Sequence, residues 1–172
     1  ANAGSATTNT VSVSPTGNTT YTLSGANGTC ITTATAVVTV VSAATPAICM
    51  VSSDSIVFQD STRYNFIFWD KTLYLNTDSF VVYRETFTNN YIRIGAVSKD
   101  SLSFYKDTAR SIGPSNGNPN IGAYRYKLQI RDTCGNYSNL SLYHNSVYFV
   151  DLFNGSFIWN LYAVEGQSTP VT

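Results

Sequence analysis

From residue 124 the chain alternates without a break: Tyr124, Tyr126, Leu128 and Ile130 point one way, and Arg125, Lys127, Gln129 and Arg131 the other. A period of two in side-chain character predicts a half-buried strand with one solvent face. Shorter stretches of the same texture predict further strands at "ICMVSS", "YNFIFWDK", "SFVVYRET", "NYIRIGAVS", "SFYKDT" and "NLSLYHNSVYFV". Residues 111–120, "SIGPSNGNPN", carry too much Gly, Pro and Asn for a strand and predict an exposed loop. No segment shows a 3.6-residue period. Seven strands over about 100 residues are what a β-sandwich needs.

Residues 1–45 have a different texture, rich in Thr, Ser, Ala, Asn and Gly. Three period-two runs, "NTVSVSP", "TTYTLSG" and "TATAVVTVV", predict three strands, with turns at "SPTGN" and "SGANGT". "SAATPA", residues 42–47, has the small residues and proline of an inter-domain linker. Near the other end, "GSFIWNLY" around Trp159 echoes "NFIFWDK" around Trp69, 90 residues earlier. That spacing is one sandwich domain, so a further copy is expected to begin near Asn154. The expected organisation is all-β: part of one sandwich over residues 1–45, a complete one over 46–153, and the start of another over 154–172.

Composition narrows the setting. Charged residues make up 12% of the chain, ten basic against ten acidic, so the formal net charge is zero. No basic field is present to attract nucleic acid or an anionic membrane. Twelve Tyr, nine Phe and two Trp accompany the Thr and Val, a mixture suited to strands. No apolar run reaches the length of a membrane span. No leader pattern opens the chain, so a secretion signal is expected outside this stretch.

The motifs "FIFWDK", "DSFVVYRE" and "YRYKLQIRDTCGN" together resemble a fibronectin type III-like domain. The closest resemblance is to such domains in very large secreted surface proteins of bacteria that use type IX secretion. The resemblance implies four core markers: Trp69 on the second strand, Phe80 at the third, and the Tyr-x-Tyr pair Tyr124 and Tyr126. The preceding "VSPTGNTTYTLSGANGTCITTATAVVTVV" is similar to the C-terminal half of the immunoglobulin-like or PKD-like repeats of the same proteins.

The three cysteines, Cys30, Cys49 and Cys134, have no C-x-x-C spacing, which gives little support to a zinc or redox site. A nucleophilic cysteine needs a base, and the only histidine is His144. In a fibronectin-like sandwich the first strand starts at the pole where the loop carrying Cys134 turns. The resemblance therefore implies a Cys49–Cys134 disulfide, worth about 4 kcal/mol in the chain-entropy model, with Cys30 left without a partner in this chain.

Six of the eight aspartates precede Ser or Thr. Turn chemistry accounts for such pairs, since both side chains bond nearby backbone. The resemblance adds O-glycosylation at Asp-Ser/Thr followed by an apolar residue or Thr, with Ser55, Ser61, Ser101 and Thr108 as candidates. Asn18, Asn27, Asn136, Asn139 and Asn154 stand in N-x-S/T sequons, which so Asn-rich a chain forms by chance. Only Glu85 and Glu165 are glutamates, and neither adjoins a second acid as paired catalytic carboxylates do. No calcium loop or glycine-rich phosphate loop is present, and no cofactor is implied. Tyr74, Tyr105 and Tyr143 remain as surface groups that a sugar ring can stack upon. The expectation is a non-enzymatic structural or adhesive module of a long secreted, cell-surface or filamentous protein. Its partners are neighbouring domains of the same chain, further copies in a fibre, or glycans, without nucleic acid or membrane insertion. The alternative is an accessory spacer or carbohydrate-binding module of a secreted hydrolase.

Overall fold

The structure, a computed structural model, describes residues 10–41, 43–53, 63–112 and 116–168. The chain is all-β and divides into two compact units, residues 1–42 and 43–172.

Within the first unit, β1 (Thr19–Asn27) and β2 (Cys30–Val38) form an antiparallel hairpin in unbroken register from Thr19 opposite Val38 to Asn27 opposite Cys30. Gly28, at φ 61°, takes the first position of the two-residue loop, where a positive φ matches the twist of the strands. The register sorts the side chains. Thr19, Tyr21, Leu23, Thr32, Ala34, Ala36 and Val38 share one face, while Thr20, Thr22, Ser24, Ile31, Thr33, Thr35 and Val37 share the other, so both faces mix apolar and hydroxyl side chains. Residues 10–18 form no strand, so the first of the three expected strands is not built. Asn18 instead accepts a 2.8 Å hydrogen bond from the Val40 amide, closing the open end of the hairpin. Residues 1–53 contain no charged side chain at all.

The second unit packs two antiparallel sheets around one core. The smaller has the order β3-β4-β7, made of β3 (Ile48–Ser53), β4 (Asn65–Trp69) and β7 (Phe104–Lys106). The larger has the order β12-β9-β8-β5-β6. Its strands are β5 (Thr77–Phe87), β6 (Asn90–Ser98), β8 (Arg125–Asp132), β9 (His144–Asn145) and β12 (Ala163–Val164). A separate ribbon pairs β10 (Phe149–Asp151) with β11 (Phe157–Trp159).

Alternation explains what lies inside. Asn65, Ile67 and Trp69 of β4 turn inward, and Tyr126, Leu128 and Ile130 of β8 meet them. Trp69 is 4% exposed and packs its ring 5.3 Å from that of Phe80, which Tyr74 contacts edge-on. Each such side chain contributes about 1.5–3 kcal/mol by leaving water. Tyr124 precedes β8 and is only half-buried against this core.

The long strand expected over residues 139–150 is broken, and serines explain how the sheet survives. Ser138, Ser141 and Ser146 each donate their amide to a carbonyl on or just before the neighbouring strand β8, at Ile130, Leu128 and Tyr124. Each also accepts the amide of that same residue on its hydroxyl, at 3.0, 2.8 and 2.9 Å. The hydroxyl stands where a ladder carbonyl otherwise would.

Residues 157–165, expected at the start of a further repeat, pair with strands of the second unit. β11 pairs with β10, and β12 pairs with β9, covering what is otherwise a bare sheet edge. Glu165 fixes the strand, donating its amide to Tyr143 and receiving Lys127 at 2.7 Å on its carboxylate. Trp159 is 61% exposed, so its echo of Trp69 is a likeness of letters without a likeness of role.

Candidate functional site

The densest polar chemistry lies at one end of the sandwich core. On β5, Arg84 is in phase with Phe80 and Val82, which forces a guanidinium inward among apolar side chains. A buried cation requires a buried anion, and Asp107, just past β7, supplies it. Both side chains are fully buried. Arg84 Nη1 donates to Asp107 Oδ1 at 2.8 Å and to Oδ2 at 2.7 Å, while Nη2 donates to the carbonyls of Ala109 and Ile112. The carboxylate further accepts the Tyr126 hydroxyl at 2.8 Å and the Ala109 amide at 3.1 Å. Burial, reinforced by the Asp107 charge, raises the Tyr126 phenol well above its ordinary pKa, so it remains a donor. Asn65 extends the chain, donating to the Tyr126 oxygen at 2.9 Å and accepting from Ser53 at 2.8 Å.

Gly117 closes this cluster at φ 64°. A Cβ built there falls 2.3 Å from both Arg84 Nη1 and Asp107 Oδ2, so only glycine lets the loop approach. The carboxylate's acceptor sites are occupied, and the pair is sealed from solvent. Its chemistry is that of a clasp joining β4, β5, β8 and the loop after β7. Sequence reasoning missed it, although Arg84 in register with Phe80 and Val82 was the available signal.

The second polar cluster joins the two sheets. Tyr162 accepts the Val51 amide at 2.9 Å and lies 2.7 Å from His144 Nδ1. Burial lowers the His144 pKa below the usual histidine range.

No known family model matches the chain, and no curated protein matches it. Among solved structures, the crystal structure of a beta-1,2-glucanase from Parabacteroides distasonis aligns with a TM-score of 0.37 and 16% identity. The alignment covers 67% of this chain and 15% of that one, a likeness that bears on neither family nor function.

The expected disulfide is not formed. Cys30, Cys49 and Cys134 are all free and exposed. Cys49 is the extra residue of a β-bulge in β3, between Ile48 opposite Trp69 and Met50 opposite Phe68. Cys134 sits in a turn organised by Asp132, whose Oδ1 accepts the amides of Cys134 and Asn136.

Of the glycosylation candidates, Ser55 and Ser61 lie outside the described residues. Thr108 is exposed, but its preceding aspartate is Asp107, locked in the clasp. Asp100, Ser101 and Leu102 are all exposed, on the turn after β6. Among the tyrosines, Tyr74 is in the core, Tyr105 bonds the Ile94 carbonyl from between the sheets, and Tyr143 lies under Arg125 at 4.5 Å. Outward-facing rings lie on β4 and β7, where half-buried Phe66 and Phe68 adjoin Phe104, and on the β10–β11 ribbon, where Phe149, Phe157 and Trp159 are exposed. Among the described residues no group of three or more His, Cys, Asp or Glu is placed to hold a metal, and no helix is long and apolar enough to cross a membrane.

Proposed function

We propose that the chain is a non-enzymatic structural or adhesive module of a secreted surface protein or extracellular filament built from tandem β-sandwiches. The observation that carries this reading is the β1–β2 hairpin. It exposes Leu23, Ile31 and Val37, has two open edges among the described residues and no charged residue in or beside it, whereas edges of solitary proteins are usually guarded by charge or proline. A two-stranded ribbon is marginal alone in water, so further strands complete it, from neighbouring domains or from another copy. The sheet orders β3-β4-β7 and β9-β8-β5-β6 support a fibronectin type III-like identity for the second unit. Type IX secretion is part of the proposal through the sequence resemblance, and O-glycosylation at Ser101 through the exposure of its turn. The outward aromatic rings of β4 and β7 favour, as a second reading, a carbohydrate-binding module beside a secreted catalytic domain.

Sedimentation velocity over a concentration series, with the hairpin variant Leu23→Lys as comparison, tests the assembly. Self-association or capture of added β1–β2 hairpin by the parent chain, lost in Leu23→Lys, is expected. A parent chain that stays monomeric and captures no hairpin rejects the reading.

A further inference from the structure

On the outer face of the five-stranded sheet three of four strand cations are matched, Arg93 opposite Tyr83 being the exception among the described residues. Arg125 meets Glu85 at 3.3 Å, Lys127 meets Glu165 at 2.7 Å and Arg131 meets Asp78 at 2.9 Å. The three-stranded sheet has a different surface. Its register sets Met50, Phe68 and Phe104 in one row and Ser52, Phe66 and Lys106 in the next. The three phenylalanine rings lie 6.0 to 6.3 Å apart. At the end of the rows the Lys106 ammonium sits 4.0 Å from the Tyr64 ring centre, and the Arg110 guanidinium 5.0 Å from it. Among the described residues, neither cation has a carboxylate within ion-pair distance.

A solvent face of a sheet is ordinarily polar. This one is apolar at one end and cationic at the other, with Met50 48% and Phe104 36% exposed. The complementary ligand has apolar faces and anions. A stable protein interface engages about 20–30 residues a side, and these two rows with Tyr64 and Arg110 supply far fewer. A narrow chain-like ligand fits.

We propose that this face binds an acidic polysaccharide, with pyranose rings laid on Phe66, Phe68 and Phe104 and a uronate carboxylate held by Lys106, while Arg110, its Nη2 bonded to the Arg63 carbonyl, adds positive field behind it. The proposal names a ligand class for the adhesive module and rests on that reading. The surface lies wholly within the second unit, so its test is separate from that of hairpin assembly.

Calorimetry with oligogalacturonate as the probe, and a neutral cello-oligosaccharide of equal length as control, decides it. The acidic oligosaccharide is expected to bind and the neutral one to bind at least tenfold more weakly. Lys106→Gln is expected to weaken binding about tenfold, the scale of one charge-assisted contact. Phe104→Leu, which keeps the apolar volume but removes the ring, is expected to weaken it several-fold with the thermal midpoint preserved. Lys127→Gln on the opposite face is expected to leave binding unchanged. No binding of oligogalacturonate, equal binding of the neutral chain, or equal loss from Lys127→Gln and Lys106→Gln overturns the proposal. In each of those cases the sedimentation behaviour of the hairpin still reports separately on assembly.

Discussion

Arg84 and Asp107 are fully buried together, and one guanidinium nitrogen spans both carboxylate oxygens at 2.8 and 2.7 Å. Removing one partner strands the other charge. Arg84→Met is expected to destabilise the second unit by about 3–5 kcal/mol, read from the midpoint of denaturant unfolding. The double variant Arg84→Met/Asp107→Leu is expected to be more stable than Arg84→Met alone, because no orphaned charge remains. Gly117→Ala tests the same clasp from outside. It places a methyl against both charged groups at an unfavourable φ, and a loss of about 1–3 kcal/mol is expected.

Ser141 tests the serine ladder. Its hydroxyl receives the Leu128 amide at 2.8 Å in the core. Ser141→Ala leaves that amide buried without an acceptor, at a cost of about 1–3 kcal/mol. Hydrogen exchange at Leu128 is expected to accelerate more than exchange at Val82 on the other side of β8. Equal acceleration at both would show a general loosening instead.

His144 sets a pH window. Burial holds its folded pKa below the unfolded value of about 6.5. As pH falls through that value the unfolded chain gains a proton that the folded chain resists. Stability is therefore expected to be level near neutrality, to decline as pH drops below about 6.5, and to level again below the folded pKa. His144 is the only histidine, so His144→Gln is expected to flatten the curve between pH 5 and 7, as followed by thermal melts.

Three exposed thiols predict a simple titration. The native chain under non-reducing conditions is expected to yield three equivalents with a thiol reagent. One equivalent would mean that two of the cysteines are bridged after all.

The legible parts of this fold are those in which neighbours along the chain decide the outcome. Asn65 to Trp69 and Tyr126 to Ile130 show their buried faces through alternation alone. Three features were hidden because distant residues decide them. Arg84 and Asp107 are 23 residues apart, and Asp107 followed by Thr108 reads locally as a turn. The segment 139–150 has the letters of a strand, but its serines replace ladder carbonyls, which no periodicity records. The tail around Trp159 resembles a new beginning, and only the bare edge of β9 explains why it turns back. The outward Phe66 and Phe68 stood in plain view within "NFIFW", yet the inward Trp69 drew the reading toward the core.

β12 joins its sheet through two residue pairs, whereas β5 and β8 share seven. Tension applied beyond residue 165 thus reaches the sandwich first at its thinnest seam. Beyond that seam, the Lys127–Glu165 pair ties the tail to β8 and the Tyr162 hydroxyl ties it to Val51 of β3. Once they part, the tail peels away and pays out length while the Trp69 core stays shut. The second unit thereby carries a short extensible fuse ahead of its rigid body.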